Sequence, residues 1–158
     1  MFEGLVRQVG RALLQRQYKL ATAESCTGGI LAAAVTAVAG SSQWFDRGFI
    51  TYSNVAKFEM LGVSKEILAS VGAVSEQTAQ QMMVGALCHS DAQVAVATTG
   101  IAGPSGGTAD KPVGMVCFAC GIDNGTSITE TQYFSGDRHQ VRQQAAMFAL
   151  QQLLLLFK

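Results

Sequence analysis

Charge is scarce in this sequence. Asp, Glu, Lys and Arg make up 14% of 158 residues, against roughly 25% in an ordinary soluble domain. Basic and acidic residues cancel to a net charge of zero, which argues against a nucleic-acid binder working through bulk electrostatics. So little charge leaves little material to cover a monomer's surface, so a homo-oligomer is expected, a dimer foremost. Long apolar runs are missing too. Leu153–Phe157 is far too short to span a bilayer, so no membrane partner is expected. Met1–Lys19 is amphipathic with charges interspersed, unlike a signal peptide. No group of His, Cys, Asp or Glu has metal-ligand spacing, so neither metal nor cofactor is expected. The cysteines are Cys26, Cys88, Cys117 and Cys120. Only Cys117 and Cys120 form a C-x-x-C, inside an apolar strand-like run. Strand residues three apart face opposite sides, so reduced core thiols and a cytoplasmic protein are the expectation. Repeats, low-complexity tracts and linkers are absent, and the length suits a single domain over 1–158.

What is present alternates between helix and strand. Phe2–Gln17 has apolar residues at helical spacing. Lys19–Glu24 reads as a strand, and Gly28–Val38 as an Ala-rich helix, apolar nearly all round and therefore buried. Trp44–Tyr52 is a second strand, followed by the capping pair Ser53-Asn54 and a helix over 55–61. Ser64 caps a further turn to Val71. Ser75 caps a long helix through Cys88, with Glu76 where the helix dipole favours it. Ala92–Thr98 alternates Val and Ala and reads as a buried strand. After the glycine-rich loop 99–108, two strands (113–121 and 126–134) flank Asn124-Gly125, a hairpin signal. Asp137 caps a last helix over 138–157. The fold class is α/β, with the terminal hairpin making the sheet mixed.

Three polar stretches lie at the carboxyl ends of the first three strands: 24–29, 51–57 and 98–111. Ligands collect at such ends, so one shared cleft is the natural expectation. Ser25 sits in a strand-turn-helix, Ala21–Gly29, where unpaired N–H groups suit an anion. The plainer reading is a small-residue turn with Thr27 as N-cap. Cys26 competes as nucleophile, since a thiol near a helix N-terminus can ionise more easily. His89 falls at the far end of the sheet, and His139 opens the last helix, so a Ser-His-Asp triad is weakly supported. Lys57 is the alternative base, if burial lowers its pKa; otherwise it is an exposed helix lysine. Tyr52 and Asn54 precede it and can carry protons or hold the pair. The 99–108 loop is no Walker A motif, yet its amides can form an anion nest. Lys111, Arg138 and Arg142 can add positive charge there, or simply solvate the helix start.

Four segments together resemble the C-terminal domain of the CinA family, which also occurs as a stand-alone nicotinamide-nucleotide amidase. They are Ala23–Gly29, Ile50–Lys57, Gly100–Thr108 with Lys111–Gly114, and Gly136–Arg142. They run from the first strand to the last helix. The resemblance implies a three-layer α/β/α sandwich with a five-stranded mixed sheet. It implies hydrolysis of nicotinamide mononucleotide to nicotinate mononucleotide and ammonia. Catalysis falls to Ser25 and Lys57, with Tyr52 nearby. Substrate binding falls to Thr27, Gly28 and Gly29 as oxyanion support, Asn54, the loop residues Gly100, Gly103, Gly106, Gly107 and Thr108, and Arg138. Met115 stands where the family often has threonine, which reads as strand packing. The competing function is a non-catalytic nucleotide-binding or regulatory domain of the same fold.

Overall fold

Valine and alanine alternate along the central strands because the two faces of the sheet meet different layers. The computed structural model describes residues 2–158. Its elements are α1 (Phe2–Arg16), β1 (Leu20–Glu24), α2 (Ile30–Thr36), β2 (Phe45–Ile50), α3 (Asn54–Leu61), α4 (Lys65–Ser70), α5 (Glu76–Cys88), β3 (Val94–Gly100), β4 (Met115–Ile122), β5 (Ser127–Tyr133) and α6 (Arg138–Leu155). On one face Val94, Val96, Val116, Phe118 and Cys120 pack beneath α1, α2 and α6. On the other, Ala95, Ala97, Cys117 and Ala119 meet Ala79, Met82, Met83 and Ala86 of α5. Large side chains fill the first interface and small ones let α5 lie close on the second. The result is a three-layer α/β/α sandwich around a five-stranded mixed sheet, as expected. Cys117 and Cys120 fall on opposite faces, and all four cysteines are free.

Strand order is β2-β1-β3-β4-β5. β1 runs parallel to both β2 and β3, while β3–β4 and β4–β5 are antiparallel. The register puts Glu24 beside Ile50 on one side and Thr98 on the other. Three carboxyl strand ends therefore reach one rim, which is where the chain turns into α2, α3 and the glycine-rich loop. β5 pairs Tyr133 with Met115, so the start of α6 arrives at that rim too. The hairpin between β4 and β5 has Asn124 in the left-handed region, φ 54, as the Asn-Gly pair predicts.

The differences from the sequence expectation are local. α2 begins at Ile30 rather than Gly28, because Gly28 and Gly29 have φ of 55 and 100 and cannot continue a helix. It is also not buried all round: Leu31 and Val35 reach the core, while Ala33 and Thr36 face out. As an outer-layer helix it needs only one apolar face. β2 stops at Ile50, releasing the carbonyls of Thr51 and Tyr52 for a side chain described below. β3 runs on to Gly100, taking the first residues of the expected loop. Met115 packs against the α5-side cluster, in keeping with a packing role.

Candidate active site

The elbow between β1 and α2 is built around a carboxylate. Glu24 is fully buried. Its Oε1 accepts from Thr27 Oγ1 (2.7 Å), Gly29 N (3.2 Å) and Leu31 N (2.9 Å), and its Oε2 accepts from Ala32 N (3.0 Å). Thr27 Oγ1 also lies 2.8 Å from Thr98 Oγ1. So Thr27 is not the N-cap. The cap position is Gly29, and its missing side chain is replaced by Glu24 from the strand. Ser25 follows directly, with its amide donating to Thr98 O (3.0 Å) and its carbonyl accepting from Gly28 N (3.1 Å).

The second turn, from β2 into α3, has an ordinary cap: Ser53 Oγ accepts from Ala56 N at 3.0 Å. That start places Lys57 one turn in, aimed back at the strand ends. Lys57 is 1% exposed. Its Nζ lies 3.0 Å from Ser25 Oγ, 3.0 Å from Thr51 O and 3.1 Å from Tyr52 O. Carbonyls only accept, so a neutral amine gives its two hydrogens to them and turns its lone pair to Ser25. Burial pushes the lysine pKa down. No carboxylate forms an ion pair with Lys57 among the described residues. The alternative of an exposed helix lysine does not hold.

Cys26 lies beside Ser25 but is a poor nucleophile. Burial, with the Glu24 charge also contributing, pushes its thiol up to about 12. Neither histidine reaches Ser25. His89 meets Arg47 at the other end of the sheet, and His139 lines a separate groove with Phe2, Phe134 and Met147. That groove is larger, about 670 Å³, but it holds no paired nucleophile and base.

The cleft above Ser25 and Lys57 has a volume of about 330 Å³. Of the expected substrate-binding residues it is lined by Asn54, Gly100, Gly103, Gly106 and Arg138, together with Tyr52. Arg138 donates to Gly103 O (2.8 Å) and to the Tyr52 hydroxyl (3.1 Å), joining the two walls. Tyr52 is 63% exposed and its hydroxyl meets Arg138; it is the Tyr52 carbonyl that touches the lysine. Gly103 has φ 81, and a Cβ there would strike Val113. The amides of Ala102, Gly103, Ser105 and Gly106 donate to no described residue, and all four residues line the cleft.

Five expected binding residues fall outside this lining. Gly28 N is used by Ser25 O and Gly29 N by Glu24, so neither amide is free for an oxyanion. The Thr27 hydroxyl points to Glu24 and Thr98. Thr108 closes a turn with Lys111, and a Cβ on Gly107 would lie 2.7 Å from Val113 N. Two cations are likewise committed elsewhere. Lys111 Nζ donates to Val71 O. Arg142 donates to Cys26 O (3.0 Å) and Thr27 O (3.2 Å), tying α6 to the elbow. Arg138 is therefore the arginine of this pair that lines the cleft. Glu24 is the residue that sequence reasoning missed. Its signal was a glutamate ending a strand otherwise of small and apolar residues, where an unpaired charge is rarely left.

Comparison with known proteins agrees with this architecture. A family model, the CinA C-terminal domain, matches residues 2–157. Nicotinamide-nucleotide amidohydrolase PncC of Enterobacter agglomerans is 53% identical over 150 residues, covering 95% of this chain and 92% of that one. PncC of Escherichia coli K12 is 54% identical over 149 residues, covering 94% and 90%. Among solved structures, the competence/damage inducible protein CihA of Agrobacterium tumefaciens superposes with TM-score 0.96 at 47% identity, covering 99% and 96%. The chain belongs to the CinA C-terminal domain family.

Proposed function

We propose that this protein is a nicotinamide-nucleotide amidohydrolase that cleaves the carboxamide of nicotinamide mononucleotide through a Ser25–Lys57 pair. The observation that carries the mechanism is the 3.0 Å contact between Ser25 Oγ and the buried Lys57 Nζ. The likeness to the PncC proteins supports the substrate. Neutral Lys57 takes the Ser25 proton as Oγ attacks the amide carbon. The new C–O bond forms, and the tetrahedral intermediate collapses by breaking C–N. Lys57 returns the proton to the departing nitrogen, which leaves as ammonia. Water, deprotonated by the same amine, then hydrolyses the ester, releasing nicotinate mononucleotide and restoring Ser25.

The free amides of Cys26, Ala102, Gly103, Ser105 and Gly106 are donors available to the oxyanion and the phosphate, with Arg138 adding charge at the cleft wall. Asn54 and Tyr52 close the opposite side. The reaction belongs to pyridine-nucleotide recycling in the cytoplasm, in keeping with four free cysteines. A homo-oligomer is part of the same reading, and the exposed Val55, Phe58 and Met60 of α3 support it. A non-catalytic nucleotide-binding domain needs the loop and Arg138 but has no use for a lysine buried against a serine. Ammonia release from nicotinamide mononucleotide tests the choice. The wild type and Cys26→Ala are expected to release it, and Ser25→Ala is not. A wild type that binds the nucleotide without releasing ammonia would establish the binding domain instead.

A further inference from the structure

We propose that Glu24 is a positioning residue for this reaction, its buried carboxylate fixing the direction in which Ser25 presents Oγ. The inference rests on Ser25 being the nucleophile. Helices α3, α4, α5 and α6 all start on a local cap, Ser53, Ser64, Ser75 and Asp137, each accepting from an amide three residues on. α2 alone among these has a glycine at the cap with no side-chain bond. Its amides are satisfied instead by a carboxylate at the end of β1. Burying that charge without a cation is costly, and the left-handed φ of 100 at Gly29 leaves no room for an ordinary serine cap there. What the remote cap adds is closure. It ties the last residue of β1 to the first turn of α2, so the Ser25–Gly28 segment is held at both ends.

The clamp extends sideways. Thr27 has one hydroxyl proton, and Glu24 offers only acceptors, so Thr27 donates to Glu24 and Thr98 donates to Thr27. Thr98 also holds the Ser25 amide through its carbonyl. The nucleophile is therefore braced by a three-residue buried relay on the face away from the cleft. The base is reached through the main chain only: Thr51 N donates to Glu24 O at 2.8 Å, and Thr51 O accepts from Lys57. A side-chain change at Glu24 leaves that second link in place. It disturbs the serine and spares the lysine.

Glu24→Gln keeps the shape but sets an amide donor against the Ala32 N–H or against the Thr27, Gly29 and Leu31 donors. Thr27→Val is a milder second variant that cuts the relay without touching the helix amides. Steady-state kinetics on nicotinamide mononucleotide are measured across pH. The rate constant and end-point of Ser25 sulfonylation by phenylmethanesulfonyl fluoride are followed by mass spectrometry. We expect kcat to fall about 100-fold in Glu24→Gln and about tenfold in Thr27→Val, with KM within about twofold. The acid limb of the pH profile stays where the wild type has it, and sulfonylation slows in step with kcat while reaching the wild-type end-point. A lower end-point at the wild-type rate constant would make Glu24 a folding residue only and overturn the proposal. So would unchanged kcat in both variants. If Glu24→Gln does not fold, Thr27→Val decides alone. Ammonia release that survives Ser25→Ala would instead sink the nucleophile assignment, a separate failure.

Discussion

The two strand-to-helix turns that meet at the cleft place their key residues by opposite means. At the β1–α2 turn the whole segment from Leu20 to Thr27 is buried, and its serine is set by main-chain bonds and the Glu24 clamp. At the β2–α3 turn the residues 52–55 are exposed, the cap is a surface serine, and one long side chain dives inward. Ser25, the proposed nucleophile, is held by its backbone, and Lys57, the proposed base, by what its own end group touches. The lesson is that burial does different work in each turn. It fixes the first by main-chain and carboxylate bonds, and in the second it holds an amine where its charged form is disfavoured.

The sharpest way to break the comparison is at Lys57. Lys57→Ala should lower kcat by about 10³-fold or more, as expected for loss of a general base, read by ammonia release. Lys57→Arg should be as inactive, because a guanidinium stays protonated and has no lone pair to offer. Activity retained in Lys57→Arg would rule out proton abstraction at this position. Next in size is the pH profile. In the proposed mechanism the neutral amine is the active form, and burial lowers its pKa, so kcat/KM should rise with pH through that depressed value and then level. A flat profile would count against Lys57 as base.

The same shift has a stability signature. In the window between the lowered folded pKa and the unfolded value of about 10.4, the unfolded chain binds more protons at residue 57. Wild-type stability should therefore rise with pH across this window relative to Lys57→Met, and the penalty for the buried charge is fully present below it. Thermal melts of both proteins between neutral and alkaline pH check the sign. Smaller still, Ser53→Ala should cost about 1 kcal/mol of stability as a lost surface cap, measured by denaturant unfolding. Cys26→Ala is expected to change kcat least, by no more than about threefold. A large loss there would return the thiol to the mechanism.

Much of this was legible in the sequence, for physical reasons. The Val/Ala alternation of 92–98 marks a buried strand, the Asn124-Gly125 pair a hairpin, and Ser53, Ser64, Ser75 and Asp137 the starts of four helices. These are local signals, and the structure keeps them. The convergence of three strand ends followed from parallel topology. The division of labour among the cations did not, since Lys111, Arg138 and Arg142 look alike until α6 is docked. Nor did the occupied amides of Gly28 and Gly29, because Glu24 reaches them across the elbow, from a strand into a helix. That contact is non-local in direction though short in sequence, and a glutamate is not among the residues read as caps.

The pairing of Ser25 with Lys57 is tested most directly by trapping the covalent intermediate. The wild type is acid-quenched during turnover of nicotinamide mononucleotide, digested and analysed by mass spectrometry. A nicotinate-mononucleotide ester on Ser25 is expected, absent from Ser25→Ala and formed far more slowly in Lys57→Ala. An adduct on Cys26, or ammonia release with Ser25 unmodified and replaceable, would contradict it.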